Sequence, residues 1–71
     1  MFVDKNLKKD PDNEDSVLGW GIVKSRPWEL KGVYATEAQA KQEAQSLGSD
    51  YEIHFGSHRL HSDDFIWGNI S

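Results

Sequence analysis

The sequence predicts an α+β domain: a three-stranded antiparallel sheet with one helix packed on it in the order β-β-α-β, followed by a C-terminal appendage. Three observations carry that expectation. Apolar residues alternate with period two in VLGWGIVK and again in YEIHF; a capped, alanine-rich segment, TEAQAKQEAQSLG, lies between the strand signals; and Pro27, Gly48 and Gly56 mark the first loop, the helix end and the end of the third strand signal.

Seventy-one residues make one small domain. A chain of this length buries only about 60% of its unfolded surface, so it gains most from large side chains or a partner. Three tryptophans, two tyrosines and three phenylalanines supply much of the apolar area. There is no cysteine, which excludes disulfides and thiolate metal sites and is compatible with a reducing compartment. No apolar run reaches signal-peptide or membrane-spanning length, so a cytoplasmic protein is expected. The net charge of −4 argues against a general DNA binder.

Residues 1–16 read as a charged, mobile arm ahead of a domain at 17–71. DKNLKKDPDNEDS holds eight charges and one isolated leucine, with no period of either kind. Asp10, Asp12 and Glu14 suggest a calcium loop, but Asp15 stands where an EF-hand needs glycine and Gly21 where it needs glutamate. In the first strand Leu18, Trp20 and Ile22 form one face, while Gly19 and Gly21 thin the other, leaving room for a large side chain or another backbone. The loop KSRPWE leads to a second strand, LKGVYA, with a bulge expected at Gly32.

The helix begins at Thr36, whose hydroxyl caps the first turn while Gln39 reaches back. Glu37 precedes Lys41 by four residues, the favoured order for a helical ion pair. Ala40, Ala44 and Leu47 give a narrow stripe of mostly small residues, and Gly48 ends the segment. Tyr51, Ile53 and Phe55 then mark a third strand, which Gly56 and Ser57 are expected to break. The core read from these patterns is Leu18, Trp20, Ile22, Val33, Tyr34, Ala40, Ala44, Leu47, Tyr51, Ile53, Phe55 and part of 65–67.

Trp20 and Val23, then Tyr34 with Thr36, Gln39, Ala40 and Ala44, then Ile53-His54 before a glycine turn and Arg59, resemble a family of small uncharacterised bacterial proteins. The resemblance covers roughly residues 18–60 and implies a compact β-β-α-β module. It lends no catalytic residues.

Three surfaces compete as functional sites. His54, His58 and His61 with Asp63 and Asp64 offer zinc-type ligands. Their spacing is unfavourable, because four residues of strand separate His54 from His58 by about 13 Å. The local alternative makes His54 a sheet-surface residue and Ser57–Asp64 a polar turn capped by Ser62. Lys24, Arg26 and Lys31 around Trp28 offer cations and a stacking ring for single-stranded nucleic acid or another anion. Trp28, Phe65, Ile66 and Trp67 exceed what a one-helix layer needs, and suit contact with a protein partner or a second copy. No nucleophile motif, phosphate loop or cofactor motif is present. The favoured expectation is a non-enzymatic interaction module, with a homodimer as its candidate assembly, that uses no cofactor.

Overall fold

A computed structural model of the chain describes residues 1–68. Six strands and one helix form in the order β1 (Phe2–Val3), β2 (Lys8–Lys9), β3 (Ser16–Ser25), β4 (Trp28–Tyr34), α1 (Glu37–Ala44), β5 (Glu52–Arg59) and β6 (Phe65–Ile66). All six strands belong to one mixed sheet, ordered β1-β4-β3-β5-β6, with β2 also pairing β3. The expected three-stranded antiparallel sheet is therefore corrected to a six-stranded mixed one. The three additional strands are two residues each, too short to leave a hydrophobic period.

Each addition answers a backbone requirement of the long strand or its neighbours. β3 pairs β5 from Ser16 to Val23, but β4 covers its other edge only from Trp20 onward. The uncovered end would expose unpaired amides and carbonyls, and Lys8 and Lys9 pair it against Leu18 and Val17. Phe2 and Val3 run parallel to Gly32 and Val33 on the outer edge of β4, which makes the sheet mixed. Thus part of the segment read as an arm is built into the sheet.

The turn between β2 and β3 is held by Asp10. Its carboxylate accepts hydrogen bonds from the Asp12 amide at 2.9 Å, the Asn13 carboxamide at 3.0 Å and the Ser57 hydroxyl at 2.8 Å. These donors, Asn13 foremost, hold the Asp10 carboxyl below its ordinary value. β3 and β4 meet at a two-residue loop, Arg26-Pro27, whose peptide bond is cis. The register slips between Ile22 and Val23, so Lys31 is the extra residue, one position before the glycine expected to mark the bulge.

Strand alternation divides the sheet into two faces. Leu18, Trp20 and Ile22 share one face with Gly32, Tyr34, Ile53 and Phe55. Helix α1 lies on this face, capped as expected by Thr36, whose hydroxyl accepts from the Gln39 amide at 3.2 Å. Lys41 and Glu37 approach to 3.6 Å. Ala40 is fully buried, and Gly48 adopts a left-handed φ of 102° just beyond the last turn. No helix among the described residues is long and apolar enough to cross a membrane.

The other face carries Val17, Gly19, Gly21 and Val23, with Val33, His54, Gly56 and His58 beside them. Here the room left by the glycines is filled by a large side chain. Val23, Leu30, Val33 and Phe65 form the buried cluster, with Val3, Leu7 and Trp67 packed against it. Phe65 comes from β6 and lays its ring on the glycine floor: a Cβ on Gly21 would stand 2.6 Å from the ring, and one on Gly56 3.0 Å from it. The glycines are the space that the phenylalanine occupies.

β5 accordingly runs through Gly56 and Ser57 without a break. A side chain at Gly56 would also collide with the Ile66 carbonyl, a backbone atom that cannot rotate away. Gly56→Ala should therefore lower stability by about 1–3 kcal/mol, the usual cost of overpacking. A reduced urea midpoint, measured by tryptophan fluorescence, checks this, with far-ultraviolet dichroism confirming a folded start.

Candidate functional site

Each of the three surfaces can now be followed residue by residue. The histidines lie on or beside β5. His54 and His58 both point to the glycine face, but four strand residues apart, with Gly56 between them. Among the described residues no three histidine, aspartate or glutamate side chains come together as a metal site.

Each histidine instead has a local structural setting. His54 stacks on Trp67 at 4.3 Å between ring centroids with 6° between planes, and its Nε2 lies 2.8 Å from the Glu52 carboxylate. His58 is 1% exposed, opposite Phe65, and its Nδ1–H donates to the Asp64 carbonyl at 2.9 Å. The carbonyl can only accept, which fixes the proton on Nδ1. His61 is exposed in the turn at a left-handed φ of 65°.

The two aspartates take part through their backbones. The Asp64 carbonyl also accepts from the Arg59 amide, and the Asp63 carbonyl accepts from the Trp28 indole at 3.0 Å. Ser62 organises the reversal: its hydroxyl donates to the Arg59 carbonyl at 2.7 Å and accepts from the Asp64 amide at 3.1 Å. The polar turn read over Ser57–Asp64 is therefore corrected to the residues after Arg59: Ser57, His58 and Arg59 belong to β5, and Ser62 organises the reversal that follows.

The loop at 24–31 places its charges in a knot. Lys31 and Lys24 approach the Glu29 carboxylate to 2.7 and 3.4 Å, and the Tyr51 hydroxyl donates to it at 3.0 Å. Both ammonium groups also lie over the Tyr51 ring, Lys24 at 5.4 Å and Lys31 at 6.0 Å from its centroid. Lys31, foremost, and Tyr51 hold the Glu29 carboxyl below its ordinary value, and Glu29 raises Lys31 in return. Two of the three expected cations are therefore engaged by one carboxylate, which offsets one of their two charges, while Arg26 stays exposed at the turn.

The aromatic tail divides between interior and surface. Phe65 is 5% exposed and belongs to the core. Trp67 is half-buried, between His54 on one side and Trp28 on the other, the two indoles being 6.1 Å apart and 12° from parallel. Trp28 keeps one exposed flank, and Ile66, at 73%, faces solvent.

A different apolar surface emerges on the helix face. Trp20 and Phe55 sit directly opposite on β3 and β5, their rings edge to face at 5.4 Å. Leu18 lies two residues along β3, and Ile66 pairs with Ser57 two residues beyond Phe55. Phe55 was expected in the core, yet it is 51% exposed. The reason is the size of the cover. An eight-residue helix is about 12 Å long and 10 Å across, whereas five strands at about 4.8 Å spacing span about 20 Å or more. Period two identifies a strand face, but not how far along it the helix reaches.

Fold and site together define a small, sheet-dominated α+β protein with a packed glycine face and a half-covered helix face. No protein-family model, curated protein or solved structure matches the chain.

If the histidines serve packing, His58→Ala should cost about 1–3 kcal/mol through a lost buried hydrogen bond. His61→Ala should stay within about 0.5 kcal/mol of the parent, as surface changes usually do. Thermal melts with and without chelator separate this from a metal site, in which both substitutions would act and chelator would mimic them.

The Glu29 knot gives a pH dependence of definite sign. Its depressed carboxyl contributes stability above its ordinary value of 4.5, lost as pH falls through the folded-state value. Glu29→Gln should flatten the acid limb of stability below about pH 4.5, which urea midpoints measured across pH will test.

Proposed function

We propose that the chain is a non-enzymatic, cytoplasmic interaction module that pairs with a second copy of itself through the apolar strip Leu18, Trp20, Phe55 and Ile66. The observation that supports this reading is the exposure of Phe55 and Ile66 beside Trp20, on the part of the sheet that α1 leaves open. Contiguous apolar surface of this kind marks association sites.

Charge around the strip favours a copy of the same chain. Lys8 pairs beside Leu18, and Arg59 pairs beside Ser16 at the same end of β3. The turn that follows β2 carries Asp12, Glu14 and Asp15, all exposed. Charges of both signs thus stand at the rim of the strip, which gives a second copy of the same surface groups of either sign to meet. Ile66 is retained from the surface expected at sequence level; Phe65 and Trp67 serve the core instead. A single half-exposed phenylalanine contributes about 100 Å² of ring surface, against about 800 Å² per partner in a typical stable complex. Affinity on the order of micromolar therefore suits this surface.

Sedimentation over a concentration series tests the proposal. A monomer–dimer equilibrium is expected, with Phe55→Asp and Ile66→Asp each weakening it at least about tenfold while Arg26→Ala leaves it unchanged. A wild-type chain that stays monomeric into the high micromolar range would refute self-pairing. Salt-dependent retention on single-stranded DNA, lost in Arg26→Ala, would instead favour the loop at 24–31.

A further inference from the structure

On the opposite flank of α1 lies a cleft of about 390 Å³, lined by Phe2, Tyr34, Gln39, Gln42 and Glu43. That volume falls within the ordinary range for small-molecule sites. Phe2 from β1 and Tyr34 from β4 form its aromatic wall, their centroids 4.9 Å apart and their planes tilted by 31°. In contact with each other, the two rings leave no slot between them for a planar ligand.

The wall depends on Gly32. A Cβ there would stand 2.9 Å from the Tyr34 ring and 3.0 Å from its hydroxyl, so the missing side chain lets the ring lie back across the strand. The helix side of the cleft is polar. Gln39 and Gln42 offer carboxamides, and Glu43 is the one charged lining residue. Among the described residues no lysine, arginine or histidine forms an ion pair with Glu43. Burial, and secondarily the charge of Glu43, raise the Tyr34 phenol above its ordinary value. The carboxylate therefore bears on the aromatic wall itself.

We infer that this cleft binds an alkylammonium group, seated against the Phe2–Tyr34 wall with its charge facing Glu43. A cation satisfies both sides at once, because aromatic faces attract positive charge and the carboxylate has no cation of its own. An anion would meet Glu43 unfavourably, and a neutral apolar ligand would leave that carboxylate without a partner. The same group occurs on a free quaternary amine and on a lysine side chain, and the chemistry recognises either.

Amide chemical-shift mapping of the full chain tests the assignment, with tetramethylammonium, an acetyl-lysine-amide peptide unit bearing a free ε-amine, and neopentyl alcohol as the uncharged match. Saturable shifts confined to Phe2, Gly32, Tyr34 and the last turn of α1 are expected, with dissociation constants on the order of millimolar. Glu43→Gln and Phe2→Leu should each weaken binding by roughly two- to fivefold, the size of an exposed ion pair or cation–π contact. Tetramethylammonium alone binding would assign a free quaternary amine, and the lysine unit binding as well or better would assign a protein-borne amine. Neopentyl alcohol binding as tightly as the cations, an unaltered affinity in Glu43→Gln, or no saturable shift with either cation would overturn the inference. Both substitutions are at exposed positions, and unchanged spectra elsewhere in the variants establish that the fold persists.

Discussion

The contact on which this molecule depends is the ring of Phe65 lying over Gly21 and Gly56. A short chain without disulfides must cover both faces of its sheet, and one eight-residue helix can cover only part of one. Phe65 supplies the second cover from the edge, reaching inward over two strands because neither presents a side chain there. Once the ring is seated, other contacts are brought into position. His58 lies opposite it and donates to the Asp64 carbonyl, and Trp67 falls two residues on, where it meets His54 and Trp28. The indole of Trp28 then ties the hairpin loop to the Asp63 carbonyl. A two-residue strand would be marginal alone; here it is the foot of a side-chain layer.

The histidines take their meaning from that layer. A buried histidine needs a hydrogen-bond partner, and a backbone carbonyl provides one without burying a carboxylate. His54 uses its flat ring as one more plate in the Trp28–Trp67 stack and leaves its nitrogen to Glu52. Three imidazoles within a few residues look like ligands when read in line. In space they occupy a stack, a buried hydrogen bond and a left-handed turn, with little in common beyond their nearness in the chain.

The parts of the fold legible in the sequence were those whose cause is local. Thr36 and Gln39 cap a helix whatever lies beneath it, alternation identifies a strand whatever pairs with it, and Ser62 can bond only to its near neighbours. β1, β2 and β6 escaped because two residues carry no period; unmet hydrogen bonds on neighbouring strands define them. The polarity of the sheet misled for a related reason. Large residues at Leu18, Trp20 and Ile22 marked their face as the core, yet of these only Ile22 is fully buried. The glycines opposite hinted at an incoming side chain without identifying Phe65, more than forty positions away in the chain.

The division of labour between the two faces also locates the surfaces open to partners. On the glycine face, Phe65, Trp67 and their neighbours fill the space with aromatic rings, so binding there would have to displace contacts that hold the fold. The helix face carries no such obligation at its ends. Beyond one flank of α1 stand Phe55 and Ile66; beyond the other, Phe2 and Tyr34 face Glu43. These flanks differ in chemistry: one is apolar with charges of both signs at its rim, the other aromatic with a single carboxylate. A short helix that leaves both open creates two unlike surfaces on one small sheet, and neither need be sacrificed for stability. Function is therefore better sought beside the helix than in the cluster of histidines.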